Sequence, residues 1–401
     1  MAARTGTART GTARTAALVG LVVAALAGTA LVTPAVAAQA PEAGGAGHSA
    51  SAGHQATGKA LDALVAEGVP GVTAQVEDRK GTWRATAGVA DRTTGRERGA
   101  QDRYRVGSIT KTFVATVLLQ LEAERRLDLD ATVDSYLPGV VRGHGNDGRR
   151  ITVRQLLNHT SGIYNYTSDP GFVDQVFGDG FFEHRYDTWT PRQLVALATA
   201  HAPDFEPGTG WNYSNTNYIL AGMIVEKVTG RTYGNEIERR ILRPLGLRAT
   251  SVPTTDPAMP RPAGRAYSKL GVDSATAPIH DVTELNPSAA GSAGAMISNP
   301  ADLNRFYGAL LKGALLPDKQ LKEMMTTVPL GDGTPPGFGY GLGLSKDTLS
   351  CGTVVWGHNG GIHGSSSSSS VTGDGKHALS MNLNGDWTGD ARSTVEAEFC
   401  G

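Results

Sequence analysis

Two cysteines, Cys351 and Cys400, are all that the 401 residues contain. So small a supply excludes a cysteine-built zinc module, and no grouping of His, Cys and acids has metal-ligand spacing. The ten histidines are scattered, and neither "HTSG" nor "GHNGGIH" has the paired-histidine helical spacing of a zinc hydrolase. No cofactor and no metal are expected. Excess charge of either sign is also missing, with 37 Lys+Arg against 38 Asp+Glu. That balance leaves no electrostatic footprint for nucleic acid or an anionic membrane surface. An unbroken apolar run of membrane-spanning length is lacking too. The stretch "AALVGLVVAALAGTALV" is interrupted by Gly and Thr and has no basic stop-transfer flank.

What surrounds that stretch gives it a meaning. Arg4, Arg9 and Arg14 precede it and "AVAAQA" follows it. A basic region, a short apolar region and small residues in this order describe a secretory signal peptide over residues 1–38, cleaved near Ala38; a retained anchor is the alternative. No adjacent arginine pair marks a twin-arginine route. The mature chain is expected to be secreted, with no stable membrane span. Cleavage removes three Arg and no acid, leaving 34 basic and 38 acidic residues. In an exported chain an even pair of cysteines reads as one disulfide, Cys351–Cys400, two buried thiols being the alternative.

Residues 39–56 are small, polar and Gly-rich, and are expected to form a disordered leader in which His48 and His54 need no role. "GKALDALVAEG" has helical apolar spacing and stops at Gly68. "GVTAQVEDR" and "TWRATAGVAD" alternate like two strands joined across "KG". "ITKTFVATVLLQLEAERRL" is apolar nearly all round, which predicts a buried helix. Thr190 and Pro191 open a helix over "TPRQLVALATA", and Gly230 closes "TNYILAGMIVEKVTG". "YGNEIERRILRPLGL" and "ADLNRFYGALLKG" are helical. Beyond these, "GYGLGL", "CGTVVWGH", "SSSSSSVTG" and "KHALSMNLN" read as strands, "TGDGK" as a hairpin turn and "DARSTVEAEFCG" as a last helix. Strands thus lie at both ends of the chain with helices between. The fold class is α+β: an antiparallel sheet built from both ends, flanked by terminal helices, with a mostly helical domain inserted. The expected sheet domain is 57–107 plus 290–401, the helical one 108–289, with an active site between them.

Three short patterns carry chemistry. In "VGSITKT", Ser108 and Lys111 are three apart and share a helix face. A serine hydroxyl needs an adjacent base to become a nucleophile, and a lysine whose pKa burial has lowered can be that base. A solvated Ser and Lys on a helix is the bland alternative, weakened because the pair opens a strongly apolar helix. In "WNYSNTN", Tyr213 and Asn215 face the same way if extended. A phenol passes protons, and an amide orients a lysine or a substrate carbonyl. The alternative is turn chemistry with Asn215 as N-cap. In "WGHNGG", His358 and Gly360 end an apolar strand. Glycines at 360 and 361 admit close backbone approach, and the Gly361 N–H can complete an oxyanion hole with that of Ser108. An ordinary strand-end turn is the alternative there.

Taken in order, Ser-x-x-Lys, Tyr-x-Asn and His-x-Gly resemble the penicillin-recognising serine enzymes, and within them the exported D-alanyl-D-alanine carboxypeptidases related to class C β-lactamases and serine esterases. The likeness extends over residues 57–401 through "RYRVGSITK", "LLNHTSGIYNYT", "NYSNTNY", "SAGAMIS", "YGLGL" and "LSCG" with "EFCG". The resemblance implies a Ser108 acyl-enzyme on peptidoglycan stem peptides or another small acyl donor. Lys111 and Tyr213 share the proton transfers, Asn215 holds Lys111 and the substrate amide, and His358 stands where a lysine is usual. Ser108 and Gly361 N–H groups bind the oxyanion, β-lactams act as inhibitors, and a monomer is expected. The alternatives are a β-lactamase or esterase of the same fold, or a catalytically silent penicillin-binding protein. His159 in "NHTSG" reads as a helix-end structural histidine, and His363 as structural or solvated.

Some positions depart from that pattern. Asn359 and Gly361 flank Gly360 where relatives carry hydroxyl residues, and Ser345, followed by Lys346, stands where an arginine is expected to hold a substrate carboxylate. An aromatic-rich strand is replaced by six serines. Ser365–Ser370 must nevertheless pair as a strand, since "KHALSMNLN" follows. Alternate serines are expected to line the cleft as a small polar wall.

Overall fold

The computed structural model of the chain describes residues 53–331 and 333–401. The expected signal peptide, His48 and residues 39–52 of the expected leader lie outside the described residues. Helix α1 (Gln55–Ala66) is followed by strands β1 (Gly71–Asp78) and β2 (Gly81–Gly88). In β2 the buried residues are Trp83, Ala85 and Ala87, the period-two pattern of a strand with one covered face. The helices that matter for the site are α2 (Thr110–Ala123), α3 (Val153–Leu157), α4 (Pro170–Val176), α5 (Phe181–His184), α6 (Pro191–Thr199), α7 (Asn215–Thr229) and α8 (Pro300–Leu311). The chain returns through β3 (Gly339–Tyr340), β4 (Ser345–Thr348), β5 (Val354–Ile362), β6 (Ser365–Thr372) and β7 (Ala378–Leu383) to α9 (Ala391–Cys400).

The seven strands form one antiparallel sheet in the order β2–β1–β7–β6–β5–β4–β3. An apolar cluster on one face joins Val371 and Ala378 to α2, α7 and α8; a second, on the other face, joins Leu379, Met381 and Leu383 to α1 and α9. This is the α+β architecture expected from strands at both chain ends. All but three of the fourteen residues of α2 are buried, so its all-round apolarity is that of a central helix. Thr190 caps α6 by accepting from the Gln193 N–H, with Pro191 first in the helix, and Gly230 ends α7 at φ +71°.

The serine run is a strand with partners on both sides. Ser365–Ser370 pairs with β5 and Ser366–Ser370 with β7, so ladder hydrogen bonds and tertiary context outweigh serine's low strand preference. Several of its hydroxyls bond within the sheet, and Ser365 Oγ also donates to the Arg105 carbonyl at 2.7 Å. Ser369 and Ser380 Oγ atoms are 2.8 Å apart, Ser365 Oγ accepts from Asn382 Nδ2 at 2.8 Å, and Ser368 Oγ donates to Asn359 Oδ1 at 2.9 Å.

Three expectations are corrected. "GYGLGL" is a strand only at Gly339–Tyr340; it turns, with Gly341 N–H donating to Leu344 O, and pairing resumes at Ser345–Thr348, where the sequence showed no strand signal. The strand carrying His358 continues through the glycines to Ile362. Gln55 and Ala56, expected in the leader, belong to α1. His54 has a role after all. It is 7% exposed, stacks on Trp83 at 5.1 Å and places Nδ1 3.0 Å from Glu398 Oε2. Glu398 also accepts from Thr57 Oγ1 at 2.6 Å and meets His377 Nε2 at 2.7 Å, so one buried carboxylate ties the first helix, the last helix and the β6–β7 turn together. Beside it the Cα atoms of Cys351 and Cys400 lie 5.6 Å apart with their sulfurs at bonding distance.

His54→Ala removes a charge-assisted bond from a buried carboxylate. It is expected to lower unfolding free energy by about 1.5–3 kcal/mol in denaturant titration while leaving turnover unchanged. A stability equal to that of the parent contradicts the clasp.

Candidate active site

Ser108 sits in a single tight turn, Gly107–Ile109, that runs into α2. Gly107 holds φ +53°, and a Cβ there would strike the Gly361 backbone, so the turn and strand β5 touch main chain to main chain. Lys111, in the first turn of α2, is fully buried. Its Nζ lies 3.0 Å from Ser108 Oγ, 2.7 Å from Asn215 Oδ1 and 2.8 Å from the Ala293 carbonyl. Burial drives its pKa well below the ordinary lysine value, and no charged neighbour offsets that burial. Two of its neighbours are carbonyl-type oxygens that only accept. In the resting geometry Nζ donates to all three oxygens; once neutral, the amine keeps its bonds to Asn215 and Ala293 and can turn its lone pair to the Ser108 O–H. The arrangement can therefore activate a hydroxyl.

The Tyr213 and Asn215 segment runs alongside. Ser214 is the N-cap of α7 and Asn215 its first residue, so the N-cap alternative for Asn215 falls away. The Asn215 Nδ2 donates to Thr167 Oγ1 at 3.1 Å and its backbone N–H to Asn165 Oδ1 at 3.0 Å, which leaves the amide oxygen for Lys111. The Tyr213 ring centroid is 4.9 Å from Lys111 Nζ. Its buried hydroxyl completes no hydrogen bond, though Ser108 is near enough to pull the phenol's pKa down slightly against the larger upward push of burial. It is a neutral phenol, a proton donor.

His358 is buried and uncharged. Its Nδ1 lies 2.5 Å from the Asn359 carbonyl, which can only accept, so Nδ1 carries the proton and Nε2 accepts from the Tyr340 hydroxyl at 2.9 Å. Burial lowers its pKa to about 3. A Cβ at Gly360 would collide with the Val106 carbonyl and crowd Ser108 N, so only glycine lets β5 lie this close to the nucleophile turn.

A cavity enclosing about 700 Å³ and open to solvent runs from Ser108, Asn215 and Gly361. Its far side is lined by Phe172, Phe177, Phe181 and Trp189, and none of Ser365–Ser370 reaches it. The expected hydroxyl-lined wall is thus corrected. The serine run lies away from the cavity, with Ser365, Ser368 and Ser369 bonded to other residues, and the aromatic bulk comes from α4, α5 and the segment before α6. His363 is buried rather than solvated. It is stacked between Phe177 and Phe181 at 4.8 Å each, its Nε2 donates to Val176 O, and it forms part of the cavity wall. Burial lowers its pKa to about 4. Ser345 donates to the Gly357 carbonyl at 2.8 Å. Lys346, opposite Trp356 in the ladder, shares the His358 face but does not line the cavity.

All seven residues singled out at 108, 111, 213, 215, 358, 360 and 361 converge here. Ala293, Tyr340, Thr167, Asn165 and the aromatic wall had been missed. "SAGAMIS", "GIYNYT" and "YGLGL" span Ala293, Asn165 with Thr167, and Tyr340, but a main-chain carbonyl and second-rank side chains leave no residue-type signal. Among the described residues no group of three or more His, Cys, Asp or Glu could hold a metal ion, and no helix is long and apolar enough to cross a membrane.

The family model described as Beta-lactamase matches residues 57–396. A D-stereospecific amidohydrolase from Streptomyces sp. is 63% identical in a solved structure, covering 87% of this chain and 99% of that one with a TM-score of 0.83. The D-amino acid amidase of Ochrobactrum anthropi SV3, solved with L-phenylalanine, is 30% identical over 85% of this chain and 96% of its own, with a TM-score of 0.73. Penicillin-binding protein 4 of Amycolatopsis lactamdurans is 31% identical over 260 residues, 64% of either chain. The chain spans between 59% and 64% of the length of three curated relatives of this kind.

Gly360→Ala tests the close approach of β5. It is expected to cut Ser108 acylation by at least about 100-fold, as a displacement near 1 Å does, with the far-ultraviolet spectrum unchanged. Parental acylation in that variant contradicts the contact.

Proposed function

The chain belongs to the Beta-lactamase family of serine hydrolases, and from that premise we propose that it is a secreted D-stereospecific amidohydrolase with Ser108 as nucleophile. Lys111, neutral, takes the Ser108 proton as the Oγ–carbonyl bond forms. The Ser108 and Gly361 N–H groups receive the oxyanion. Tyr213, kept protonated, donates to the departing nitrogen as the C–N bond breaks, and is reprotonated through Lys111. Water then adds to the acyl-enzyme by the reverse relay and releases the acid. The Cys351–Cys400 disulfide belongs to the same exported form.

The observation that carries the choice of substrate is the neutral, buried His358. A stem peptide ending in D-alanyl-D-alanine brings a carboxylate beside the leaving group, and a fixed cation is what such a group needs. Here His358 is uncharged at neutral pH and Ser345 replaces the expected arginine. An amide or ester leaving group requires no such charge. The aromatic wall suits an acyl donor with a large apolar side chain. Stereochemistry rests on the likeness to the D-stereospecific amidohydrolase and the D-amino acid amidase. The stem-peptide carboxypeptidase expected from the motifs remains the second reading, favoured by the likeness to a penicillin-binding protein.

Purified mature protein is expected to release ammonia from D-phenylalanine amide at least about 10-fold faster, in kcat/KM, than D-alanine from an acyl-D-Ala-D-Ala peptide, an advantage of the order a missing charged contact gives. It should leave the L-amide untouched. Faster cleavage of the peptide establishes the second reading instead. Ser108→Ala should abolish turnover and any penicillin adduct seen by intact mass; an adduct that persists sinks the nucleophile assignment.

The pH profile has a definite sign. Lys111 must be neutral, so kcat/KM falls as pH drops through its lowered pKa; Tyr213 must stay protonated, and its pKa is raised, so no alkaline loss is expected below about 10. With an N-acetylated D-phenylalanine ester, His358 should add no inflection near neutrality, its pKa being about 3. A limb near pH 6.5 that His358→Asn removes contradicts the neutral imidazole.

A further inference from the structure

We propose that His159 is a positioning residue that pins the Tyr213–Asn215 segment against Lys111. The inference rests on the reading of Ser108 and Lys111 given above. Asn158 is the C-cap of helix α3, and His159 follows at φ +62°. The His159 N–H donates to Leu156 O at 3.3 Å and the Thr160 N–H to Gln155 O at 3.0 Å. That is a helix stop whose left-handed position glycine fills best, since a Cβ disfavours it. A histidine held there needs a reason in its side chain.

The side chain turns inward and is fully buried. Its Nδ1 lies 3.2 Å from the Ser214 backbone N and 3.2 Å from Asn217 Nδ2. The Asn217 amide is oriented by Ser161, whose Oγ donates to Asn217 Oδ1 at 2.6 Å. Both neighbours of Nδ1 are therefore donors, so Nδ1 carries a lone pair and the proton is on Nε2. The His159 carbonyl in turn accepts from the Asn212 N–H at 3.2 Å. One residue thus holds the chain at 212 and at 214, on either side of Tyr213. Its ring lies 4.2 Å from the Tyr213 ring and 5.0 Å from that of Tyr340, the residue that donates to His358. Tyr218, Lys111 and His358 are the other titratable groups that face it. Burial holds its pKa well below the ordinary imidazole value, so the ring stays neutral.

A helix stop and a positioning residue respond differently to substitution. His159→Gly supplies the residue that suits φ +62° and deletes the ring and its acceptor. His159→Asn also tolerates the left-handed region and keeps an acceptor oxygen close to the place of Nδ1. With an N-acetylated D-phenylalanine ester, and rates referred to folded protein, the Gly variant is expected to lose about 10–100-fold in kcat with KM within about 2-fold. The acid limb of its profile should move to higher pH as water reaches Lys111. The Asn variant should recover most of that loss. Parental kcat and acid limb in His159→Gly overturn the proposal, as does equal impairment of both variants with an unmoved profile. Should the Gly variant not fold, nitrogen NMR of the parent decides: the proton resides on Nε2 from about pH 5 to 9, whereas a proton on Nδ1 or a titration in that range overturns it. An inactive parent enzyme, by contrast, contradicts the reading of Ser108 and leaves the His159 tautomer measurement to stand by itself.

Discussion

A lysine amine buried without a counter-charge is the constraint on which the rest of this molecule depends. Taking an ammonium out of water is expensive, and the cost is avoided by leaving the amine neutral. Neutrality requires two acceptors and one donor at hydrogen-bond distance, and the chain supplies them from three distant places. Ser108 comes from the turn before α2, Asn215 from the start of α7, and the Ala293 carbonyl from a main-chain turn 182 residues away. Helix α2 is buried almost throughout because it must carry Lys111 into the centre of the fold. The second rank then follows: Thr167 and Asn165 fix Asn215, so that its oxygen rather than its nitrogen meets the amine.

The same economy of charge extends across the site. Two hydrogen bonds settle His358 in one neutral tautomer. Tyr213 is a phenol held protonated by burial. Lys346 shares the His358 face without lining the cavity, and the cavity wall carries Arg185 and Asp187 beside four aromatic side chains. The neutral imidazole at 358 is what favours an uncharged leaving group over a carboxylate-bearing one. Gly107 and Gly360 make this possible, because any side chain at either position would push the nucleophile turn away from the strand that faces it.

Much of this could be read from residue types and spacing. Helices α1, α2, α6 and α7 and the two N-terminal strands announced themselves through period and punctuation, and the seven site residues through three ordered patterns. What could not be read has physical causes. Ser365–Ser370 was legible as a strand only because a further strand had to follow it. The destination of its hydroxyls depended on neighbours such as Asn382 and Ser380, which come from another strand. The aromatic wall is spread over residues 172–189, in short helices without a strong period, and meets Ser108 only through tertiary packing. His54 looked like part of a polar leader because its partner, Glu398, lies 344 residues later. The hairpin at 339–348 was hidden by "SKDT", four residues with no strand signature, whose pairing is imposed by β5.

The central claim, that Lys111 is neutral in the resting enzyme, is open to direct observation. Carbon NMR of protein labelled at lysine Cε, assigned with Lys111→Ala, reports the ionisation of that one amine. The account predicts a resonance that titrates well below the ~10.4 of free lysine and is neutral at the pH of turnover. A Lys111 that remains an ammonium up to about pH 10 contradicts it.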